Sequence, residues 1–174
     1  FADSTDGKFK KTAFEVVSYG KKVAQQLATN VVVVTINATD ATELYAYGAE
    51  KVLAVSNEGL STFNAKEYAA VLAQAASKEN ATIVVVDSSI NGLYLSPLVA
   101  VSLDAGYVSN TVSEPSNINP FTVKRKAFSN KAFSNTVIST ENKVIGLAKN
   151  SFGIHENPVA GTLEAFDVTI AASG

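Results

Sequence analysis

The chain reads as one α/β domain: a doubly wound, mostly parallel sheet flanked by helices, with a small antiparallel sheet near the carboxy-terminal end. Three observations predict this. Short runs such as residues 31–36, VVVVTI, are β-branched at every position and almost wholly apolar, as suits strands covered on both faces. Amphipathic helical stretches alternate with these runs, which calls for right-handed crossovers between parallel strands. The length of 174 residues and a 47% hydrophobic fraction suit a single domain with a full core.

Residues 1–3 read as the tail of an apolar first strand whose beginning precedes Phe1. The chain holds no methionine, so a processed or trimmed sequence is expected. After a turn over residues 4–7, Val16, Gly20, Val23 and Leu27 recur at helical spacing with Ala13, Val17 and Ala24 beside them. That is a helix with a buried stripe, and Lys21 and Lys22 lie off it. The strand at 31–36 comes next, then a short helix from Thr42 to Tyr47 stopped by Gly48, then a strand at 51–55. Asn64 precedes a longer helix, with Glu67 three positions on as in a capping box, and Tyr68, Val71, Leu72 and Ala75 facing inward. Residues 82–86 form another buried strand. Ser96 and Pro97 read as N-cap and first residue of a helix that runs through Leu103 and stops at Gly106. A loop rich in Pro, Asn and Ser follows at 114–120. Strands near 121–128, 133–139 and 143–147, with no helix between them, predict an antiparallel meander appended to the parallel sheet. From Gly153 the tail reads as an edge strand or an interdomain linker, which divides the chain into an α/β domain over 1–153 and a tail over 154–174.

Composition removes several functions. Only 17% of residues are charged, against about 25% in an average globular chain, so part of the surface is expected to be covered by another domain or subunit. A net charge of −2 argues against nucleic-acid binding. Without cysteine there is no disulfide, zinc-thiolate site or thiol nucleophile, and a lone histidine, His155, makes a transition-metal site improbable. No apolar run approaches the roughly 20 residues of a membrane span, and no signal segment opens the chain. The default setting is a soluble, reducing compartment, where the Asn-x-Thr triplets at Asn37 and Asn80 carry no glycosylation meaning.

Candidate chemistry is sparse. No Gly-x-Gly-x-x-Gly or Walker-type loop occurs. The segment DSSINGLY at 87–94 follows a strand, where such folds bind ligands, and Ser88 and Ser89 with the following helix start are placed to receive a phosphate. The same residues also read as an ordinary turn, with Asn91 and Gly92 supplying left-handed geometry. His155 lacks a Gly-x-Ser-x-Gly elbow and reads as a surface histidine. Lys124, Arg125 and Lys126 read either as a solvated edge or, at Arg125, as a charge-pairing contact with another domain or subunit. Phe128 and Phe133 read as packing residues. No catalytic, cofactor-binding or metal-binding residue is assigned.

Four segments then occur in order: DGKFKKTAFEVVSYGKKVA at 6–24, YGAEKVLAV at 47–55, LDAGYVSNT at 103–111 and KRKAFSNKA at 124–132. Together they resemble the amino-terminal domain of the electron-transfer flavoprotein alpha subunit. The match is best at Phe14, Glu15 and Ser18, at Leu103, Asp104, Ala105, Gly106, Val108 and Ser109, and at Arg125 and Lys131. It departs where the family often has Gly-Lys-Asp/Asn-Leu-x-Pro-Arg. Here the residues are Gly92, Leu93, Tyr94, Leu95, Ser96, Pro97 and Leu98, so two basic positions are apolar. A frequent family arginine is Ala148, ahead of Asn150, Ser151 and Phe152.

The resemblance implies a non-catalytic domain of an electron carrier that takes electrons from acyl-CoA or other flavin dehydrogenases toward a respiratory-chain acceptor. It implies a heterodimer with a beta subunit that holds AMP, FAD bound mainly on a second alpha-subunit domain beyond Gly174, and a bacterial cytoplasmic or mitochondrial-matrix setting. The alternatives are a stand-alone nucleotide-binding module of universal-stress-like fold and an ATP-using amidating or hydrolytic domain. Both call for a phosphate-gripping loop, and neither loop is visible.

Overall fold

The β-branched runs become the strands of a parallel core. The computed structural model describes residues 1–171. In chain order they form β1 (Ser4–Thr5), β2 (Lys8–Phe9), α1 (Lys11–Gln26), β3 (Val32–Ile36), a 3₁₀ segment (Thr42–Tyr47), β4 (Lys51–Val55), a 3₁₀ turn (Glu58–Leu60) and α2 (Ala65–Glu79). There follow β5 (Ile83–Asp87), α3 (Ile90–Ser102), β6 (Gly106–Thr111), β7 (Asn117–Ile118), β8 (Phe121–Ala127), β9 (Ala132–Val137), β10 (Lys143–Leu147) and β11 (Thr162–Ala165).

The parallel strands lie in two groups. One runs β11-β4-β3, with Val33 opposite Val52 and Leu163 opposite Val52 on its other side. The other runs β5-β10-β6 and continues antiparallel into β8, which also pairs with β7 and β9. Residues 1–2 lie in extended form between the groups. The Phe1 amino group donates to the Val85 carbonyl at 2.7 Å, and the Ala2 amide donates to the Val34 carbonyl at 3.1 Å. This is where the tail of a first strand was expected.

Helices cover both faces, as a doubly wound sheet requires. α2 and α3 bury Val71, Leu72, Leu95 and Val99 against Val86 and Val144. On the opposite face α1 buries Val17 and Ala13 against Val33, Leu44 and Val52, and Val16, Tyr19 and Val23 against Ile145 and Leu147. The predicted α1 stripe is therefore the buried one. Lys21 pairs with Glu50, whose second oxygen accepts the Val31 amide at 2.6 Å. Gly48, at φ 105°, ends the 3₁₀ segment as predicted.

Several expectations are corrected. α3 starts at Ile90, capped by Ser89, so Pro97 is internal and not the first residue of the helix. Asn91 and Gly92 are helical rather than a turn. Gly92 is required there because a Cβ would sit 2.0 Å from the Asp87 carbonyl oxygen. Pro97 is tolerated on the exposed side of the helix, and the Ser96 hydroxyl uses the Gly92 carbonyl. The strand β6 went unpredicted, because YVSNT alternates too weakly to announce a half-buried strand. β10 is not part of an antiparallel meander. It inserts between β5 and β6, parallel to both, with Val144 and Ile145 fully buried. Asn64 caps α2 through the Lys66 and Glu67 amides, at 3.0 and 3.3 Å. The reciprocal bond from Glu67 is not among those of the described residues, so half of the capping box is present.

Candidate functional site at the strand ends

In doubly wound folds ligands sit beyond the carboxyl ends of the parallel strands, where loops offer free backbone amides. Here those loops are closed by the chain's own side chains. At the exits of β3 and β4, Asn37 and Asn57 bind reciprocally: the Asn57 amide donates to Asn37 Oδ1 at 2.8 Å, and Asn37 Nδ2 donates to the Asn57 carbonyl at 2.9 Å. Asn57 Oδ1 also accepts the Gly59 amide at 2.8 Å. At the exit of β5, Asp87 Oδ1 accepts the Ser89 amide at 3.0 Å and Ser89 Oγ accepts the Gly92 amide at 3.1 Å. Asp87 and Ser89 of the chain itself thus satisfy two of the amides at the start of α3.

The exit of β10 is the most heavily bonded. Glu15, 4% exposed on α1, accepts the Asn150 amide at 2.8 Å, the Phe152 amide at 3.2 Å and the Gly153 amide at 2.7 Å. One helical turn on, Ser18 Oγ accepts the His155 amide at 3.0 Å and donates to the Phe14 carbonyl at 2.8 Å. The Phe152 ring packs edge-on against Tyr19, with centroids 5.2 Å apart. Glu15, Ser18 and Tyr19 thus meet Asn150, Phe152, Gly153 and His155, more than 130 positions later, in one contact. From there residues 154–161 cross the 3₁₀ segment, with the Asn157 and Val159 amides on the Ala46 and Tyr45 carbonyls, and enter the sheet edge as β11. Of the two readings left open for the tail, residues 162–165 take the edge strand.

The remaining candidates are scattered. Arg125 ties β8 to β6, with Nε on the Ser109 carbonyl at 3.1 Å and Nη2 on Ser109 Oγ at 3.2 Å. Both hydrogen bonds stay inside the domain, and among the described residues it pairs with no carboxylate. Tyr107 beside it has its phenol pushed up by burial, opposed by Ser96, Arg125 and Ser109. His155 is exposed, with Nε2 3.0 Å from the Phe152 carbonyl, and among the described residues no Ser hydroxyl or Asp carboxylate is bonded to its ring. Phe128 and Phe133 are not packing residues. They are 80% and 60% exposed at the tip of the β8–β9 ribbon, where Lys124 Nζ lies 4.6 Å from the Phe133 centroid. Among the described residues no three His, Asp or Glu side chains converge as a metal site needs. No described helix is long and apolar enough to cross a membrane.

Sequence reasoning overlooked the outer face of α3. Ile90, Tyr94, Pro97 and Val101 follow one another at helical spacing, and Ile90, Tyr94 and Val101 are 75%, 67% and 81% exposed. The signal was available: a helix apolar on every side reads as one covered on every side. Leu93, at one of the two positions where family members are often basic, is also exposed there.

Comparison with known proteins agrees with this architecture. Residues 1–171 match the electron transfer flavoprotein domain. The electron transfer flavoprotein subunit alpha of Bacillus subtilis (strain 168) is 28% identical over 169 residues, covering 95% of this chain and 52% of the relative. The subunit of the same name from Clostridium acetobutylicum is 28% identical over 116 residues, covering 65% and 34%. The acryloyl-CoA reductase electron transfer subunit beta of Anaerotignum propionicum is 24% identical over 158 residues, covering 89% and 43%. The chain thus spans about half, or less, of the length of these relatives. With a family match running from the first residue to the last described one, the chain belongs to the electron transfer flavoprotein family, as a domain of the alpha-subunit, amino-terminal type.

Proposed function

We propose that this chain is the structural, partner-binding domain of an electron carrier, and that it holds no redox cofactor itself. The observation that carries this reading is the closed rim. Asp87, Ser89, Asn37, Asn57 and Glu15 use the backbone amides that a flavin pyrophosphate would need, so these residues do not fit that group. On this reading FAD sits on a further domain of the alpha subunit and AMP on the beta subunit. The electrons come from acyl-CoA or other flavin dehydrogenases and leave toward a respiratory-chain acceptor, from a bacterial cytoplasm or a mitochondrial matrix. The division of labour is an α/β domain over 1–153 and a tail over 154–174 that joins the sheet edge at 162–165 before leading toward the flavin domain.

The apolar stripe of α3 supports a partner. Three large apolar side chains more than two-thirds exposed on one helix face are what a beta subunit would cover. The test has two arms. Titrating FAD into the purified chain should give no saturable one-to-one fluorescence quenching at submicromolar concentration, where binding would be worth about −8 kcal/mol or better. Sedimentation of the chain, joined to its flavin domain and mixed with the beta subunit, should show a one-to-one complex that Tyr94→Lys weakens at least tenfold. Tight flavin binding by the chain alone, or a lone monomer in the second arm, overturns the reading.

A further inference from the structure

The hairpin of β8 and β9 outruns the sheet that carries it. β8 pairs with β6 at Arg125 and Thr111, and the Val112 amide donates to the Lys124 carbonyl. From Lys126 to Phe133 the two strands bond only to each other among the described residues, with Lys126 opposite Phe133 and Ala127 opposite Ala132. The turn between them runs through three consecutive left-handed residues, Phe128, Ser129 and Asn130, at φ 52°, 51° and 63°. Asn tolerates that conformation, whereas for a side chain as large as Phe it is an outlier. Strain is thus stored where an aromatic ring stands at the end of a free ribbon, 80% exposed.

Charge gathers on the same ribbon. Residues 115–140 include Lys124, Arg125, Lys126 and Lys131 and no Asp or Glu, in a chain of net charge −2. The negative excess therefore lies on the rest of the domain, and an anionic surface would draw the ribbon in and turn the body away. Arg125, the cation suited to gripping a fixed carboxylate, is turned inward onto Ser109. The three lysines pair with no carboxylate among the described residues. Cross-strand partners share a face, so Lys126 stands beside Phe133, and Lys124 reaches along that face to the Phe133 ring.

We propose that the tip of the β8–β9 ribbon anchors this domain on the surface of an anionic lipid bilayer. Phe128 and Phe133 enter the outer hydrocarbon, and Lys124, Lys126 and Lys131 reach the headgroup phosphates. The order of the groups decides for a bilayer over a protein groove. An apolar point comes first and a collar of cations stands behind it, which matches hydrocarbon lying beneath anionic headgroups. Lysine, a point charge on a flexible stem, suits a fluid array of phosphates; a fixed carboxylate would favour the arginine that is turned away. Two rings and three charges make a reversible attachment. It is attachment to a surface and not crossing, for which no described helix is long and apolar enough. It is also independent of the partner assigned to the α3 stripe, which shares none of these residues.

The test is co-sedimentation of the full chain with vesicles at low salt, about 0.05 M, where surface charges are less screened. Vesicles of phosphatidylcholine with about one-third phosphatidylglycerol should bind at least tenfold more chain than phosphatidylcholine alone. Phe128→Ser with Phe133→Ser should lower binding at least tenfold, and Lys126→Gln with Lys131→Gln at least fivefold. Removing the same charge from the body, with Lys8→Gln and Lys10→Gln, should change it less than twofold. Phe128, Phe133, Lys131, Lys8 and Lys10 are exposed and Lys126 is half-buried, so all three variants should keep the fold, which melts verify. The chain has no Trp, so Phe128→Trp is a reporter at one site, and its emission should shift to the blue on the anionic vesicles. Equal losses from the two lysine pairs, or an unshifted emission, overturn the proposal, because any attraction would then be diffuse. So does a shift produced by the beta subunit and not by vesicles, since the occupant would then be a protein.

Discussion

In its first two turns α1 adds two polar anchors to its apolar stripe, and over its last two that stripe lines an apolar space between strands. At the first end Glu15 and Ser18 hold four backbone amides of the segment after β10. At the other, Gly20 and Val23 line the slot between β3 and β5. A buried carboxylate is costly unless donors surround it, so Glu15 dictates the course of particular residues. An apolar wall demands only that water be excluded, and many side chains satisfy it. The first contact should therefore fail to a single substitution. The second should respond to filling and to charge.

The largest effect is expected at Glu15. Glu15→Ala leaves three amides to find water at a partly buried site and should lower stability by about 3 kcal/mol, less than the sum of three charged hydrogen bonds because the loop can relax. Glu15→Gln keeps an acceptor oxygen and should cost about half as much. Urea melts followed by circular dichroism measure both. A loss below about 1 kcal/mol for Glu15→Ala would place the two ends of α1 on an equal footing and break the contrast.

At the slot, the expected effect is a pH dependence. In a chain starting at Phe1, burial pulls the amino group down from 8.0 to about 6, although the Asp87 and Asp3 carboxylates draw it back up. Below pH 6 the amine is charged in both states, and the folded state bears the desolvation. Above pH 8 it is neutral in both. Between these values the unfolded chain binds more protons, so stability rises with pH, by about 2–3 kcal/mol in all. Melts at pH 5.5, 7 and 8.5 should show the rise, and acetylation or extension at Phe1 should abolish it. A rise that survives extension would assign the titration to another group.

How much of this was legible depended on whether residues announced their own neighbours. The strands at 31–36 and 51–55 and the stripe of α1 were readable because burial on both faces, or along one stripe, leaves a periodic mark. β10 carries the same mark in Val144, Ile145 and Leu147, yet its place between β5 and β6 depends on a chain reversal that no local pattern encodes. α3 was misplaced because Asn91 and Gly92 suit a turn, and only the closeness of the Asp87 carbonyl shows why glycine is needed inside a helix. At the strand ends, the absence of a glycine-rich loop was visible, and the self-closure by Asp87, Asn37 and Glu15 was not. Those bonds join residues up to 138 positions apart.

The smallest effect is expected on α2, the other wall of the slot. Asn64 is exposed and accepts the Lys66 and Glu67 amides, so Asn64→Ala should cost about 1 kcal/mol and Asn64→Gly a few tenths. The cap lies about two turns from Leu72, the α2 residue that borders the slot, and the intervening Tyr68 and Val71 are held in the core. Fraying of the first turn should therefore stay local. The shift in urea midpoint should then be the same in the unaltered chain and in one carrying Glu15→Gln on α1, within the few tenths of a kcal/mol expected of independent sites. A markedly different shift in the Glu15→Gln background would mean that the two helices are coupled through the sheet between them. Polar anchoring at Glu15 would then reach beyond its own loop, and the difference between polar and apolar anchoring would lie in specificity alone.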